Sequence, residues 1–340
     1  MKSYNRCAGL ERGAQIVIQN WIQIRPWDKL LIVTNTSHMA EAEAMAKYAR
    51  KRAMSVNQLV VEKDGVHVGV FFDIHENVFD PYTAIIAATD YSLVTTKAAK
   101  RAISKKKKFL SLPLSTNDGV SMLAYDFMTM DTKKSKMMSQ LMMKYLRQST
   151  TMRAVTAAGT DLRVCKRGRD PGFFNGVTRD GRGFSSASIE VYVPIEEEKT
   201  EGTLVVDGSF GYIGKPGQPV RVKFEKGRIV DIESNEDGKR LASYMRDYED
   251  EDIYVAGEFG IGLNSISKCR GNCYIEDEST YGTFHIGMGR NIGLGGRHEA
   301  KGHFDLVMQE PDIYVDNRLV MQHGKIIISS QQIFEGVYLQ

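Results

Sequence analysis

The sequence predicts an α/β N-terminal domain with a mainly parallel sheet, residues 1–150, followed by a β-rich (α+β) C-terminal domain, residues 151–340, that binds metal. Three observations carry this. In the first half, near-continuous apolar runs such as Leu30-Leu31-Ile32-Val33 alternate with helical segments, the pattern of strands covered on both faces. In the second half the runs are short, alternate apolar with polar residues and are split by turns. Finally, His285, His303 and Asp305 fall within twenty-one residues of a glycine-rich stretch, with Glu258 upstream in Ala256-Gly257-Glu258.

The first domain opens on a helix. Leu10, Ile16, Val17 and Trp21 have close to helical spacing, and Pro26 closes the segment. Leu30 to Thr34 reads as a strand, Asn35-Thr36-Ser37 as its loop, and Ala40 to Ala53 as a helix rich in Ala, Glu, Lys and Met. Val56 to Val61 gives a second strand, Tyr91 to Thr96 a third, Ala98 to Lys105 a helix and Phe109 to Leu112 a fourth strand. The first strand-to-helix loop has no G-x-G-x-x-G, so nothing supports a nucleotide cofactor. His38 at that helix start is read as an exposed cap-region residue. A helix from Thr132 to Leu146, with Met137, Met138, Met142 and Met143 as a packing stripe, leads to the break near Gln148-Ser149-Thr150.

From Ala154 onward the pattern is antiparallel. Strands are expected at 155–164, 189–194, 202–208, 220–224 and 228–232, with one helix at 238–248. Ile253 to Glu258 then brings a strand to a carboxylate, and eleven glycines lie between there and Gly302. Glycine at this density lets backbone turn sharply or pass close to a site. His303 and Asp305, two apart on a strand, point to the same side. His298-Glu299-Ala300-Lys301-Gly302-His303 imitates the helical zinc signature H-E-x-x-H, but its histidines are five apart. That spacing turns them about 140° from each other on a helix, so His298 and Glu299 are read as loop residues. The acidic Glu276-Asp277-Glu278 is equally compatible with a solvated turn and with carboxylates added to the site.

Composition sets the remaining limits. With 340 residues, 42% hydrophobic and 26% charged, the chain is of ordinary globular composition. No apolar run approaches the roughly 18 residues of a membrane helix, and the first residues hold no cleavable apolar core, so a cytoplasmic address and no membrane partner are expected. A net charge of +3 gives no reason to expect nucleic acid. Lys105 to Lys108 reads as the solvated end of a helix. Cys7, Cys165, Cys269 and Cys273 are expected as free thiols, because Cys269-x3-Cys273 has no second pair to complete a zinc site.

Imidazole with carboxylate suits zinc, cobalt, manganese or ferrous iron. Over residues 150–325 the chain resembles the aminopeptidase T family of thermophilic metallo-aminopeptidases. The resemblance lies in Gly159-Thr160-Asp161-Leu162, the Glu190 strand ending at Pro194, Gly257-Glu258-Phe259-Gly260-Ile261-Gly262, Phe284-His285-Ile286-Gly287-Met288-Gly289 and His303-Phe304-Asp305. It implies a homodimer and two divalent ions (Zn, Co or Mn) held by Glu190, Glu258, His285, His303 and Asp305. Ile292 stands where those peptidases carry a tyrosine. The segment from Gly289 through His303-x-Asp305 to Asp316 is also similar to the 2,5-dihydroxypyridine dioxygenases, which use one ferrous iron, although Glu258 occupies the place of their first histidine.

These resemblances imply three functional expectations. The first is a two-metal hydrolase cleaving the amide bond of a peptide or small-molecule substrate, with Glu190 or Glu258 as catalytic general base and Asp305 or a glutamate bridging the ions. The second is an Fe(II)-dependent ring-cleaving dioxygenase in which His285, His303 and a carboxylate form a facial triad. The third is a metal-binding relative without chemistry.

Overall fold

The computed structural model describes residues 2–180 and 183–328. Helix α1 (Lys2–Ile16) continues through a π-helical turn at Val17–Trp21 that buries Val17, Ile18 and Trp21. There follow β1 (Lys29–Asn35), α2 (Met39–Ala49), β2 (Ser55–Val61), α3 (Val66–Ile74), β3 (Ala84–Ala88), α4 (Lys97–Ser104), β4 (Lys108–Ser111) and α5 (Thr132–Gln148). The third strand is therefore Ala84–Ala88 and not the expected 91–96. Residues 93–96 are buried by packing rather than by strand pairing. Thr96 caps α4, accepting from the Ala99 N–H, and this turns the backbone into the helix.

The second half holds β5 (Thr151–Val155), β6 (Asp161–Cys165), β7 (Gly172–Asn175), β8 (Phe184–Ser186), β9 (Ile189–Pro194), β10 (Glu201–Val206), β11 (Val220–Glu225), β12 (Arg228–Ile232) and α6 (Glu236–Arg246). It continues with β13 (Ala256–Gly262), α7 (Tyr274–Ser279), β14 (Thr283–Gly289), β15 (His303–Gln309), β16 (Asp312–Val315), β17 (Arg318–Gln322) and β18 (Lys325–Ile326). Three sheets result. The first, in order β2-β1-β3-β4-β8, is parallel throughout and takes its last strand from the second half of the chain. The others are antiparallel, β12-β11-β10-β6-β5-β16-β17-β18 and β15-β14-β13-β9-β7. The α/β plus β-rich architecture expected from the sequence is the one observed.

Period-two geometry sends alternate residues of the parallel strands into different cores. Leu30, Ile32, Ile86 and Leu110 join a core that extends to β9, β13, β14 and β15, whereas Leu31, Val33, Ile85 and Phe109 pack under α3 and α4. The two halves thus share one apolar interior. Among the described residues no helix is long and apolar enough to cross a membrane, and Cys165, Cys269 and Cys273 are free, while the Cys7 side chain lies outside what is described. The lysine run is more engaged than a solvated helix end, since Lys105 pairs with Asp80 at 2.8 Å and Lys108 with the buried Asp28 at 2.7 Å.

Candidate metal centre

Strand register gathers the five residues singled out in the sequence. In the sheet β15-β14-β13-β9, Glu258 pairs with Gly287 and Gly287 with Asp305, while His285 pairs with Gly260, His303 with Gly289 and Glu190 with Gly262. Donors and glycines thus occupy one face of four adjacent strands. The alternate residues Phe259, Ile261, Phe284, Ile286, Phe304 and Leu306 fill the core behind them. The absence of side chains is what makes room: a Cβ on Gly260 would lie 1.8 Å from His285 Nε2. A Cβ on Gly287 would meet His303 Cε1 at 2.6 Å and Glu258 Oε2 at 2.9 Å. His285 lies inside its strand, not at its end.

Two groups of three donors result, Glu190-Glu258-His285 and Glu258-His303-Asp305. Glu258 belongs to both. The two imidazoles fall into different groups, so a facial triad of His285, His303 and one carboxylate is not what the fold assembles. Distances are short: His285 Nε2 to Glu190 Oε2 is 2.8 Å, His303 Nε2 to Glu258 Oε2 is 3.2 Å and to Asp305 Oδ1 3.4 Å. His303 Nδ1 lies 2.9 Å from the Arg290 carbonyl. A carbonyl only accepts, so Nδ1 carries a proton and Nε2 is the nitrogen turned to the carboxylates, where it donates when protonated and is free to ligate once a cation takes the proton's place.

Two residues not anticipated, Ser188 and Tyr274, and one the sequence left open, Glu278, complete the centre. Ser188 Oγ donates to Glu190 Oε1 at 2.7 Å, and the Tyr274 hydroxyl donates to Asp305 Oδ2. Glu278, from the acidic triplet, sits one helical turn beyond Tyr274 on α7 and is 3% exposed rather than solvated. Only the i, i+4 spacing of Tyr274 and Glu278 could have hinted at this, and the helix is too short to announce itself by periodicity. His298 stays outside both groups, as expected, with its Nε2 2.8 Å from the Asp252 carbonyl.

Four buried carboxylates against two imidazoles is a charge arrangement that needs cations. Glu278 Oε2 and His285 Nδ1 are buried with no hydrogen-bond partner, while Glu190 Oε2 and Asp305 Oδ1 face the imidazoles without a well-aligned hydrogen bond. Without a metal, protons must supply the compensation. Burial pushes Glu258 up to about 7 despite His303. Burial, with Asp305 and Glu190 nearby, holds Glu278 well above the usual carboxylate range. Burial alone would lower the imidazoles, but Asp305 and Glu190 outweigh it and raise His285 to about 9, while Asp305 and Glu258 raise His303. A divalent cation displaces such protons and satisfies the bare oxygens, so the residues present fit one.

The centre opens on a cavity of about 20 Å³ at the join of the two halves. One wall is the carboxyl edge of the parallel sheet, where ligands bind in open α/β folds: Ser92 and Val94 follow β3, Ser186 ends β8 and Ser188 follows it. Phe174 and Leu294 add apolar surface. Arg290, paired with Asp73 of α3 at 2.7 Å, and Asn291, bonded to the Gly257 carbonyl and to Glu197, hold the 290–302 loop in place.

Among known proteins, the family described as NicX, 2,5-dihydroxypyridine 5,6-dioxygenase, matches residues 118–328. The 2,5-dihydroxypyridine 5,6-dioxygenase of Pseudomonas putida KT2440 is 28% identical over 145 residues, which is 38% of this chain and 41% of that relative. The match therefore covers less than half of the relative's length. The solved 2,5-dihydroxypyridine dioxygenase from the same organism shares the fold with a TM-score of 0.76 at 17% identity, over 95% of this chain and 98% of the other. AmpT from Thermus thermophilus does so with 0.67 at 14% identity, over 95% and 100%, a likeness of fold alone. The family match spans more than half of the sequence and includes Glu190, Glu258, His285, His303 and Asp305, and by it the chain belongs to the 2,5-dihydroxypyridine 5,6-dioxygenase family.

Proposed function

We propose that the chain is an Fe(II)-dependent ring-cleaving dioxygenase acting on a small dihydroxylated aromatic compound, with Glu258, His303 and Asp305 as the metal donors. The observation that carries this is the family match over residues 118–328 together with a donor group inside it. A ferrous ion held there would supply the binding and activation of dioxygen. The protein's own residues do the rest. Phe174, Val94 and Leu294 offer apolar surface to a ring, and the Ser92 and Ser186 hydroxyls offer hydrogen bonds to its substituents. Glu278, holding its proton in the unloaded protein, is placed to give or receive a proton at its unpartnered Oε2. The cavity, about 20 Å³, has room for about one water, so a ring enters only if its walls move apart.

Oxygen consumption by the Fe(II)-loaded, reduced protein across a panel of dihydroxylated pyridines and benzenes tests the reading. Uptake that is lost in His303→Ala supports it. No uptake with any member of the panel by protein that has bound iron sinks it.

A second reading, a two-metal amide hydrolase with Glu190 or Glu258 as general base, is favoured by one feature: Glu258 is shared between two complete donor groups. Two ions per chain, with release of amine from amino-terminal amides, would select it over the oxygenase. The homodimer implied by the resemblance is part of either reading and is tested by light scattering.

A further inference from the structure

We infer that Tyr274 is a positioning residue that confines Asp305 to presenting a single oxygen to a cation. The inference rests on reading Glu258-His303-Asp305 as the donor group. Asp305 has two unlike oxygens. Oδ2 accepts the Tyr274 hydroxyl, whereas Oδ1 is turned toward His303 Nε2 at 3.4 Å, and the Glu278 carboxyl also reaches Asp305. The phenol proton takes up one lone pair of Oδ2 and draws charge from it, which disfavours Oδ2 as a ligand and leaves Oδ1 as the oxygen presented to a cation. Any bridge then falls to Glu258, the residue common to both donor groups. This narrows the expectation that Asp305 or a glutamate bridges the ions to the glutamate.

Tyr274 is itself fixed, which a positioning role requires. Its ring stacks on Tyr212 with centroids 4.2 Å apart, and Tyr212 stacks on Tyr91 at 3.9 Å with 10° between planes. The Tyr212 hydroxyl accepts the Ser92 N–H at 3.0 Å, tying the stack to the wall of the cavity. A Cβ on Gly211 would lie 3.3 Å from Tyr274 Cδ2 and 3.1 Å from the Asp305 carbonyl oxygen, so the phenol ring and the strand carrying Asp305 both pack close to this glycine. The phenol is buried, at 4% exposure. Ser188 gives Glu190 the same treatment, bonding Oε1 and leaving Oε2 toward His285.

Tyr274→Phe keeps the ring and removes only the hydroxyl. The full chain, with Co2+ as the probe, is titrated and its visible absorption recorded for wild type and variant, with circular dichroism as the folding control. The expected result is about 10- to 100-fold weaker Co2+ binding, the usual scale for losing an outer partner of a ligand, with a changed visible spectrum as Asp305 gains a second bonding oxygen. Affinity within about twofold of wild type and an unchanged spectrum would overturn the inference while leaving the metal centre standing. A wild-type chain that takes up no Co2+ overturns the metal-centre reading and the inference with it. Should Tyr274→Phe fail to fold, 3-fluorotyrosine at position 274, a stronger donor of the same shape, is read instead: a shifted Co2+ affinity supports the inference and an unshifted one overturns it.

Discussion

Glu258 and His303 stand on strands that do not pair with each other, yet their Oε2 and Nε2 atoms lie 3.2 Å apart, meeting over Gly287 of the strand between them. The glycine is a saddle. Any side chain there would occupy the space in which the two donors converge.

Gly287→Ala is therefore expected to damage the centre far more than the fold. Its new Cβ would lie within 2.9 Å of both Glu258 and His303. Overpacking of this kind costs about 1–3 kcal/mol of stability. Equilibrium dialysis of Fe2+ or Co2+ should show affinity reduced by at least about tenfold, the lower end for a disturbed ligand surround. Wild-type metal affinity in a folded variant would refute the saddle role.

Donor substitutions separate one ion from two. Glu258→Gln removes a ligand from both groups, so metal content should fall to background. His285→Ala touches only Glu190-Glu258-His285. On the oxygenase reading it leaves one iron per chain; on the hydrolase reading it lowers the count from two to one. Elemental analysis of the dialysed variants makes the distinction.

Chelation should lower thermal stability. Binding to the folded state alone stabilises it by mass action, about 2.7 kcal/mol at a hundredfold excess of free ligand over Kd. A melting temperature that ignores added Fe2+ or Co2+ would count against a cation in this cluster.

Glu197 sets an acid limit away from the donors. Burial raises its pKa, but the Arg169 guanidinium at 2.5 Å, the Arg297 N–H and Asn291 outweigh burial and bring it to about 2. The folded value lies below the unfolded one, so the stabilisation is fully present above about pH 4.5 and is lost as pH falls toward 2. At about 1.4 kcal/mol per pKa unit the effect is at most about 3 kcal/mol. Urea denaturation between pH 5 and pH 2 should show a smaller decline for Glu197→Gln than for wild type.

Arg290 joins the halves. Its pair with Asp73 is largely buried, at 11% and 14% exposure, and its carbonyl fixes the tautomer of His303. Arg290→Ala leaves Asp73 uncompensated and is expected to cost about 2–4 kcal/mol. Asp73→Ala in the same chain should recover part of that loss, because the stranded carboxylate is then gone. A double variant no more stable than Arg290→Ala would contradict the pairing.

The sequence by itself determined the two-part architecture, because apolar runs and alternation report local burial directly. It also marked Glu258, His285, His303 and Asp305, since histidine and carboxylate among glycines is a chemical pattern that survives without coordinates, whereas Glu190 entered only through the family resemblance. It did not reveal β3, whose Ala-Ile-Ile-Ala-Ala run is weak beside the β-branched 94–96 segment, nor that β8 would leave its neighbours to close the parallel sheet. Tertiary structure alone decided the rest. Which donors share a group depends on the register of four strands, and a one-residue slip would have sent every donor into the core. Tyr274 and Glu278 reach the centre only when α7 docks on the sheet, while Ser188 reaches Glu190 from two residues before it. Glycine density was visible along the chain; that every donor pairs with a glycine across the sheet, Glu258 and Asp305 sharing Gly287, is a property of strands side by side.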